Sequence, residues 1–329
     1  MKKIVKNLLK NKGRTIPILS FPSSQLLGIS VNELISSSEN QAKGMKAIME
    51  RCNVGASLNM MDLSVEAEAF GAKVKFDENE VPAVTDALIT DISEAEDIKV
   101  PEIGAGRTAV YIEGVRKAKE IITDAPVFCG VIGPYSLAGR IFDMMELMMA
   151  CFDDPDAVKA LVAKCTEFLK KYLLAFKEAG ADGVIMAEPA SGMLSPDMCE
   201  EFSTPFVKEI IDAVADENFV FCYHNCGNNT IGMSETIASL GADMYHFGNA
   251  IDLSEMIPLM PADSVVMGNV DPVLFKTSTP EVIEKVTREV FEKCSKFDNF
   301  MLSSGCDIPA EAKWENLDAY FNTVKKLYE

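Results

Sequence analysis

Short runs of apolar residues recur along this chain, each ending in polar residues, Gly or Pro, and most are followed by a longer stretch with helical periodicity. The runs are "IPILSFP" (16–22), "ASLNMMDLS" (56–64), "PVFCGVIGP" (126–134), "DGVIMAEP" (182–189), "FVFCYHNCG" (219–227), "ADMYHFG" (242–248), "SVVMGNVD" (264–271) and "FMLSSGCD" (300–307). Between them lie amphipathic stretches such as "DDPDAVKALVAKCTEFLKKYLLAFKEAGA", with Pro near its first turn and Gly at its end as start and stop signals. "SPDMCEEFSTPFVKEIIDAVAD" and "STPEVIEKVTREVFEKCSKF" open in the same way. Apolar strands with helical returns imply a parallel sheet covered on both faces. Eight of them in a chain of this length predict an α/β fold of the closed (β/α)8 TIM-barrel type rather than an open sheet.

Two features depart from the repeat. The basic start "MKKIVKNLLKNKGR" reads as a helical extension lying over the body of the protein. It lacks the apolar segment and small-residue cleavage site of a secretory leader. Residues 65–125 are a longer insertion containing "AKVKFDENEVPAV", which reads as a hairpin decorating the barrel. No linker or low-complexity segment interrupts the pattern, so a single domain over residues 1–329 is expected.

Bulk properties narrow the function classes. A formal charge of −19 repels phosphate backbones and anionic lipid, which argues against nucleic-acid and membrane partners. No run approaches the roughly 18 uninterrupted apolar residues of a membrane span. Nine irregularly spaced cysteines do not form a secreted disulfide framework and fit a reducing cytoplasm. Thiols there remain available as small buried hydrophobes or as metal ligands.

In a (β/α)8 barrel the chemistry gathers at the C-terminal ends of the strands. The runs end in Asp62 and Glu66, in Gly133, in Glu188, in His224 and Cys226, in His246 and Gly248, in Asn269 and Asp271, and in Cys306 and Asp307. One of the chain's two histidines thus stands two residues before a cysteine, while another cysteine closes a similar run far downstream. Side chains from non-adjacent strands of a closed barrel can reach one point at its mouth. One imidazole and two thiolates suit Zn²⁺, and three protein ligands leave an open position for water or substrate. An isolated H-x-C is also compatible with two unrelated residues; the matching context of Cys306 is what brings in the metal. His246, without a thiol partner, reads as a hydrogen-bonded rim residue rather than a ligand. Glu188 is a candidate acid/base, fourth ligand or plain rim carboxylate. Asp62 and Glu66 are candidate substrate contacts, while Glu66 and Glu68 equally fit a solvated face of a short helix. Gly133, in "GVIGPYSLAG", and Asn269 are positions where a cofactor could approach closely, although the glycines lack the order and the Lys of a phosphate loop.

The segments "GVIGPYSLAGRIFDMMELMMACFDDPDAV", "GADGVIMAEPASGMLSPDMCEEFSTPFVKEI", "YHNCGNNT", "MGNVDPVLF" and "SSGCDIPAEAKWENLDAY" resemble the uroporphyrinogen decarboxylase superfamily, specifically its corrinoid-linked branch similar to methylcobalamin:coenzyme M methyltransferases. The resemblance implies a (β/α)8 barrel and one zinc ion per chain, held by His224, Cys226 and Cys306. It further implies methyl transfer from a methylated corrinoid, carried on a partner protein, to a thiol activated as thiolate on zinc. The decarboxylases grip porphyrin carboxylates with an Arg-rich N-terminal segment. Here "TIPILSFPSSQLLGIS" has no arginine after Arg14, which disfavours porphyrin decarboxylation. Arg140 is one candidate for an anionic acceptor such as coenzyme M. Two other roles stay open: transfer from a methyl donor onto the corrinoid, as in O-demethylase or methylamine systems, and a structural zinc with no methyl transfer.

Overall fold

The strands form where β-branched and aromatic residues run together, and the helices where the apolar period lengthens. The computed structural model describes residues 1–329. In chain order the strands are β1 Ser57–Leu58, β2 Lys73–Lys75, β3 Ala83–Asp86, β4 Val127–Ile132, β5 Gly183–Ala187, β6 Val220–Asn225, β7 Met244–Phe247, β8 Val265–Val270 and β9 Phe300–Ser304. Seven of them form one curled parallel sheet in the order β1-β4-β5-β6-β7-β8-β9, with helices between successive strands as in a TIM barrel. Strands β2 and β3 pair antiparallel as the expected hairpin in the insertion. The helix Pro155–Glu178 begins at its proline, with Asp154 accepting from the Ala157 N–H, and gives way to Gly180 at φ 99°. The stretch 195–216 is broken at Ser203 into Pro196–Phe202 and Thr204–Val214, because Pro205 starts a second helix instead of continuing the first. No helix is long and apolar enough to cross a membrane.

The first run, 16–22, is a correction to the expected eight strands: it adds no ladder, since Pro17 and Pro22 have no N–H to donate. It still fills the gap between β9 and β1. Thr15 bridges Val54, and Gly55 N–H donates to the Thr15 carbonyl at 2.8 Å. Toward β9 the bonds run through hydroxyls: Thr15 Oγ1 donates to the Leu302 carbonyl, Ser303 Oγ donates to the Ile16 carbonyl at 2.7 Å, and Ile18 N–H donates to Ser304 Oγ at 3.0 Å. The second run, 56–64, forms a ladder only over Ser57–Leu58. Beyond it, side chains complete the edge of β4, where Gly130 N–H donates to Asn59 Oδ1 at 2.8 Å and Ile132 N–H to Glu66 Oε1 at 3.1 Å.

Period-two alternation sorts each strand into an inner and an outer set. The inner apolar cluster includes Ile16, Ile18, Leu58, Phe128, Ile185, Val220, Cys222, Met244, Val265, Met267 and Met301. Val5 and Leu8 of the helix Lys3–Lys10 belong to the same cluster. Lys2 donates to the Phe219 carbonyl and pairs with Asp243, both just before the starts of β6 and β7. The extension therefore plugs the N-terminal end of the barrel and leaves the other end as the mouth. The larger cluster packs the outer strand faces against the helices.

Closure through hydroxyls has a measurable consequence. Thr15→Val keeps the shape but removes the donor to Leu302 and the partner of the Tyr320 hydroxyl, 2.8 Å away in a buried site. We expect a loss of about 1–3 kcal/mol, read as a lower urea midpoint with an unchanged slope. An unchanged midpoint would show that the segment does not close the ring.

Candidate metal centre

Along β6 the inward positions are Val220, Cys222 and His224, so the column that begins apolar ends in an imidazole. Cys226 follows just past the strand, two residues on and therefore on the same side in extended chain. Gly248 makes room for it: a Cβ there would lie 2.6 Å from both Cα and Cβ of Cys226. Cys306 enters from the loop after β9. The ligand atoms of His224, Cys226 and Cys306 all lie within 4.8 Å of one another, and His224 Nε2 is 3.5 Å from Cys306 Sγ. The imidazole is buried while both cysteines are partly exposed, so the cluster opens toward solvent on its sulfur side.

The two thiols lie within 4.8 Å of each other, close enough for each to shift the other's titration. Cys226 is pushed below the ordinary thiol range, chiefly by the neighbouring Cys306 and further by His224. Cys306 is driven far above the ordinary thiol range by the same neighbour and by burial. Behind the cluster stands His246, paired in register with His224 on the adjacent strand and fully buried. Its Nδ1 is 2.7 Å from His224 Nδ1 and its Nε2 is 2.9 Å from Ser303 Oγ. Burial holds this imidazole well below its usual range, and the proximity of His224 adds to the shift. The expected rim residue is thus an interior partner of His224; Ser303, in the same chain of contacts, gave no signal in the sequence beyond its place in a strand.

The structure uses the other candidates differently. Glu188 is fully buried and accepts from Tyr135 N–H at 3.2 Å and from Ser136 N–H and Oγ, at the N-terminus of the helix Pro134–Phe142. Burial pushes it up to about 7 against the lowering effect of those bonds. Gly133 approaches this carboxylate: a Cβ there would lie 2.0 Å from Glu188 Oε2, so the glycine is explained by packing. Asp62 accepts from Ser64 N–H and Oγ through one oxygen and from Tyr111 Oη and Arg107 through the other. Arg107 also holds Glu68 at 2.6 Å. Glu66 is buried at the edge of β4, so neither it nor Glu68 belongs to the solvated helix face weighed from sequence. Arg107 was missed because it lies in the insertion, far from Asp62 in sequence. Asn269 donates to the carbonyls of Gly248 and Ile251 and so ties down the loop beside Cys226. Arg140 is exposed and lines a separate cavity of about 410 Å³ with Asp86, Ser136, Asp143 and Met193. Of the residues predicted from sequence, the structure brings His224, Cys226 and Cys306 together and leaves the carboxylates in cradles of their own.

Residues 17–327 match the family model described as uroporphyrinogen decarboxylase (URO-D). The chain belongs to the uroporphyrinogen decarboxylase family. Its relatives in that family carry different activities. It is 26% identical over 269 residues to the methylcobamide:CoM methyltransferase MtbA of Methanosarcina acetivorans, a match covering 80% of this chain and 77% of the relative. It is 25% identical over 246 residues to uroporphyrinogen decarboxylase 2, chloroplastic, of Arabidopsis thaliana, covering 71% of this chain and 61% of that one. A solved methyltransferase from Methanosarcina mazei superposes with a TM-score of 0.87 at 22% identity over 100% of both chains, which shows the shared fold.

The buried acids make stability depend on pH. Glu66 is pushed up to about 8 by burial, and Glu188 to about 7. Both carboxyls keep their protons in the folded state at pH values where the unfolded chain, titrating near 4.5, has released them. Stability is therefore highest below about pH 4.5 as far as these groups decide it, and falls as pH rises toward 8. Glu66→Gln should remove part of that slope, gaining on the order of a few kcal/mol relative to the parent between pH 5 and pH 8. Urea titrations at both pH values give the comparison; identical slopes for parent and variant would refute the burial effect.

Proposed function

We propose that this protein is a zinc-dependent, corrinoid-dependent methyltransferase. In this reading it moves a methyl group from a methylated corrinoid, presented by a partner corrinoid protein at the barrel mouth, to a small thiol such as coenzyme M. The observation that carries the reading is the convergence of one imidazole nitrogen and two sulfurs, with the sulfur side open to solvent. The donor set fits the metal. Ligands about 2.0 Å (N) and 2.3 Å (S) from a tetrahedral centre are roughly 3.5 Å apart, and His224 Nε2 lies 3.5 Å from Cys306 Sγ. Three donors without a fourth in the group leave room for a substrate ligand, as a catalytic rather than a structural site requires. The names of the Methanosarcina relatives support the same chemistry, and the absence of arginines after Arg14 in the N-terminal segment weighs against the porphyrin reaction of the other relatives.

Zinc bound there supplies the positive charge that keeps a substrate thiol ionised at neutral pH, where a free thiol with a pKa of roughly 8.5 is mostly protonated. The chain's own residues divide the remaining work. His224 is buried and fixes the inner corner of the site, while Cys226 and Cys306 leave the opening toward the mouth. Gly248 and Asn269 hold the loop against which Cys226 packs. Glu188, cradled by the Ser136 hydroxyl and two backbone N–H groups, is given a supporting part at the mouth rather than a proton-transfer role.

Purified protein should contain about one zinc per chain, and Cys306→Ala should lose the metal together with thiol-dependent demethylation of methylcobalamin. Metal analysis and cobalamin absorbance, measured on zinc-free and zinc-restored protein against a panel of thiols, test the reading. Full zinc content in the variant would remove the ligand assignment. Demethylation that proceeds equally without zinc would remove the mechanism.

A further inference from the structure

His224 and His246 are the only histidines in the chain, and they meet Nδ1 to Nδ1 at 2.7 Å. A contact that short requires one proton between the rings, since two lone pairs repel and two N–H groups clash. The groups at each end decide which ring carries it. The Ile16 carbonyl can only accept, so the Ser303 hydroxyl, 2.7 Å away, donates its single proton there. Ser303 Oγ is then an acceptor toward His246 Nε2 at 2.9 Å, and that nitrogen must carry the ring proton. A neutral imidazole protonated on Nε2 has a lone pair on Nδ1. The shared proton therefore belongs to His224 Nδ1. The backbone carbonyl of His246, 3.2 Å from the same nitrogen, gives the same answer independently, because it too can only accept. With Nδ1 protonated, neutral His224 has its lone pair on Nε2, the atom facing Cys306.

We propose that His246 and Ser303 are positioning residues: they lock His224 in the Nδ1-protonated tautomer, so that Nε2 offers a lone pair to a metal held with Cys226 and Cys306. A metal-binding histidine usually donates its second nitrogen to a carboxylate, a carbonyl or water. Here a second imidazole takes that place and passes the constraint back, through a serine, to the segment that closes the barrel. The metal half of this proposal rests on the zinc reading above, whereas the tautomer is a property of the polypeptide alone.

With only two histidines, ¹⁵N-histidine labelling of the full-length, metal-free protein gives two ring systems, assigned by comparison with His246→Phe. Long-range ¹H–¹⁵N spectra should show His224 protonated on Nδ1 and His246 protonated on Nε2. In His246→Phe, His224 should become a mixture of tautomers, and zinc affinity, measured by chelator competition, should fall about ten- to a hundred-fold. His246→Asn, whose amide oxygen can stand in for Nδ1 as acceptor, should recover most of that loss. His224 protonated on Nε2 in the parent protein would overturn the proposal, as would parental zinc affinity in a folded His246→Phe. Should that variant not fold, the parental spectrum, with its two ring systems of opposite tautomer, decides alone. Failure of the parent to bind zinc would overturn the metal reading, while the spectrum would still decide whether the relay exists.

Discussion

The register of β6 against β7 is the constraint from which the site follows. It places His224 level with His246 on the inner surface of the barrel, and a slip of one residue in either strand would turn that strand's ring outward into the helical layer and separate the pair. What holds the register is apolar: Val220, Cys222 and Met244 fill the same inner columns below, where side chains of the wrong size would leave voids or collide. The polar layer at the mouth is thus positioned by the packing beneath it. A buried pair of imidazoles stays in place because each polar atom it presents is matched, and an unmatched one would cost about 1–3 kcal/mol.

Closure of the barrel and support of the site share the same atoms. Ser303 joins β9 to the segment containing Ile16, and the hydroxyl that makes this seam also accepts from His246. Thr15 and Ser304 make neighbouring stitches along that seam. A regular strand with backbone ladders on both sides would engage the Ile16 carbonyl and leave the Ser303 hydroxyl without that acceptor. Prolines at positions 17 and 22 prevent that strand, and hydroxyl groups replace it. The irregular stave is therefore the one that can extend a hydrogen-bonded chain inward.

Much of this was legible from pattern. Apolar runs followed by helical period marked all the ladder strands, since continuous burial on both faces leaves little else they could be. His224, Cys226 and Cys306 could be singled out because strand ends in a closed ring face a common mouth. The first run misled because Ile16 and Ile18 are as buried as strand residues, while the missing N–H of Pro17 matters only once the partner is known. Glu66 was ambiguous for a related reason: a helix beginning "VEAEAF" looks solvated unless one knows that β1 stops at Leu58 and leaves Ile132 N–H in need of an acceptor. Arg107 and Ser303 act across long sequence separations, and nothing local distinguishes them from other polar residues.

The carboxylates at the mouth divide the labour with the sulfur–nitrogen cluster in a physically consistent way. Asp62 is matched to Arg107 and Tyr111, and Glu188 to a helix N-terminus. An acid so engaged must break existing bonds before it can move a proton, and in a buried setting that loss is large. His224, Cys226 and Cys306 are the converse case. Their outward-facing atoms have one another as partners and solvent beyond, while the back of the imidazole is fixed. On this rim a rigid backing meets a solvent-facing front at the imidazole and the two thiols.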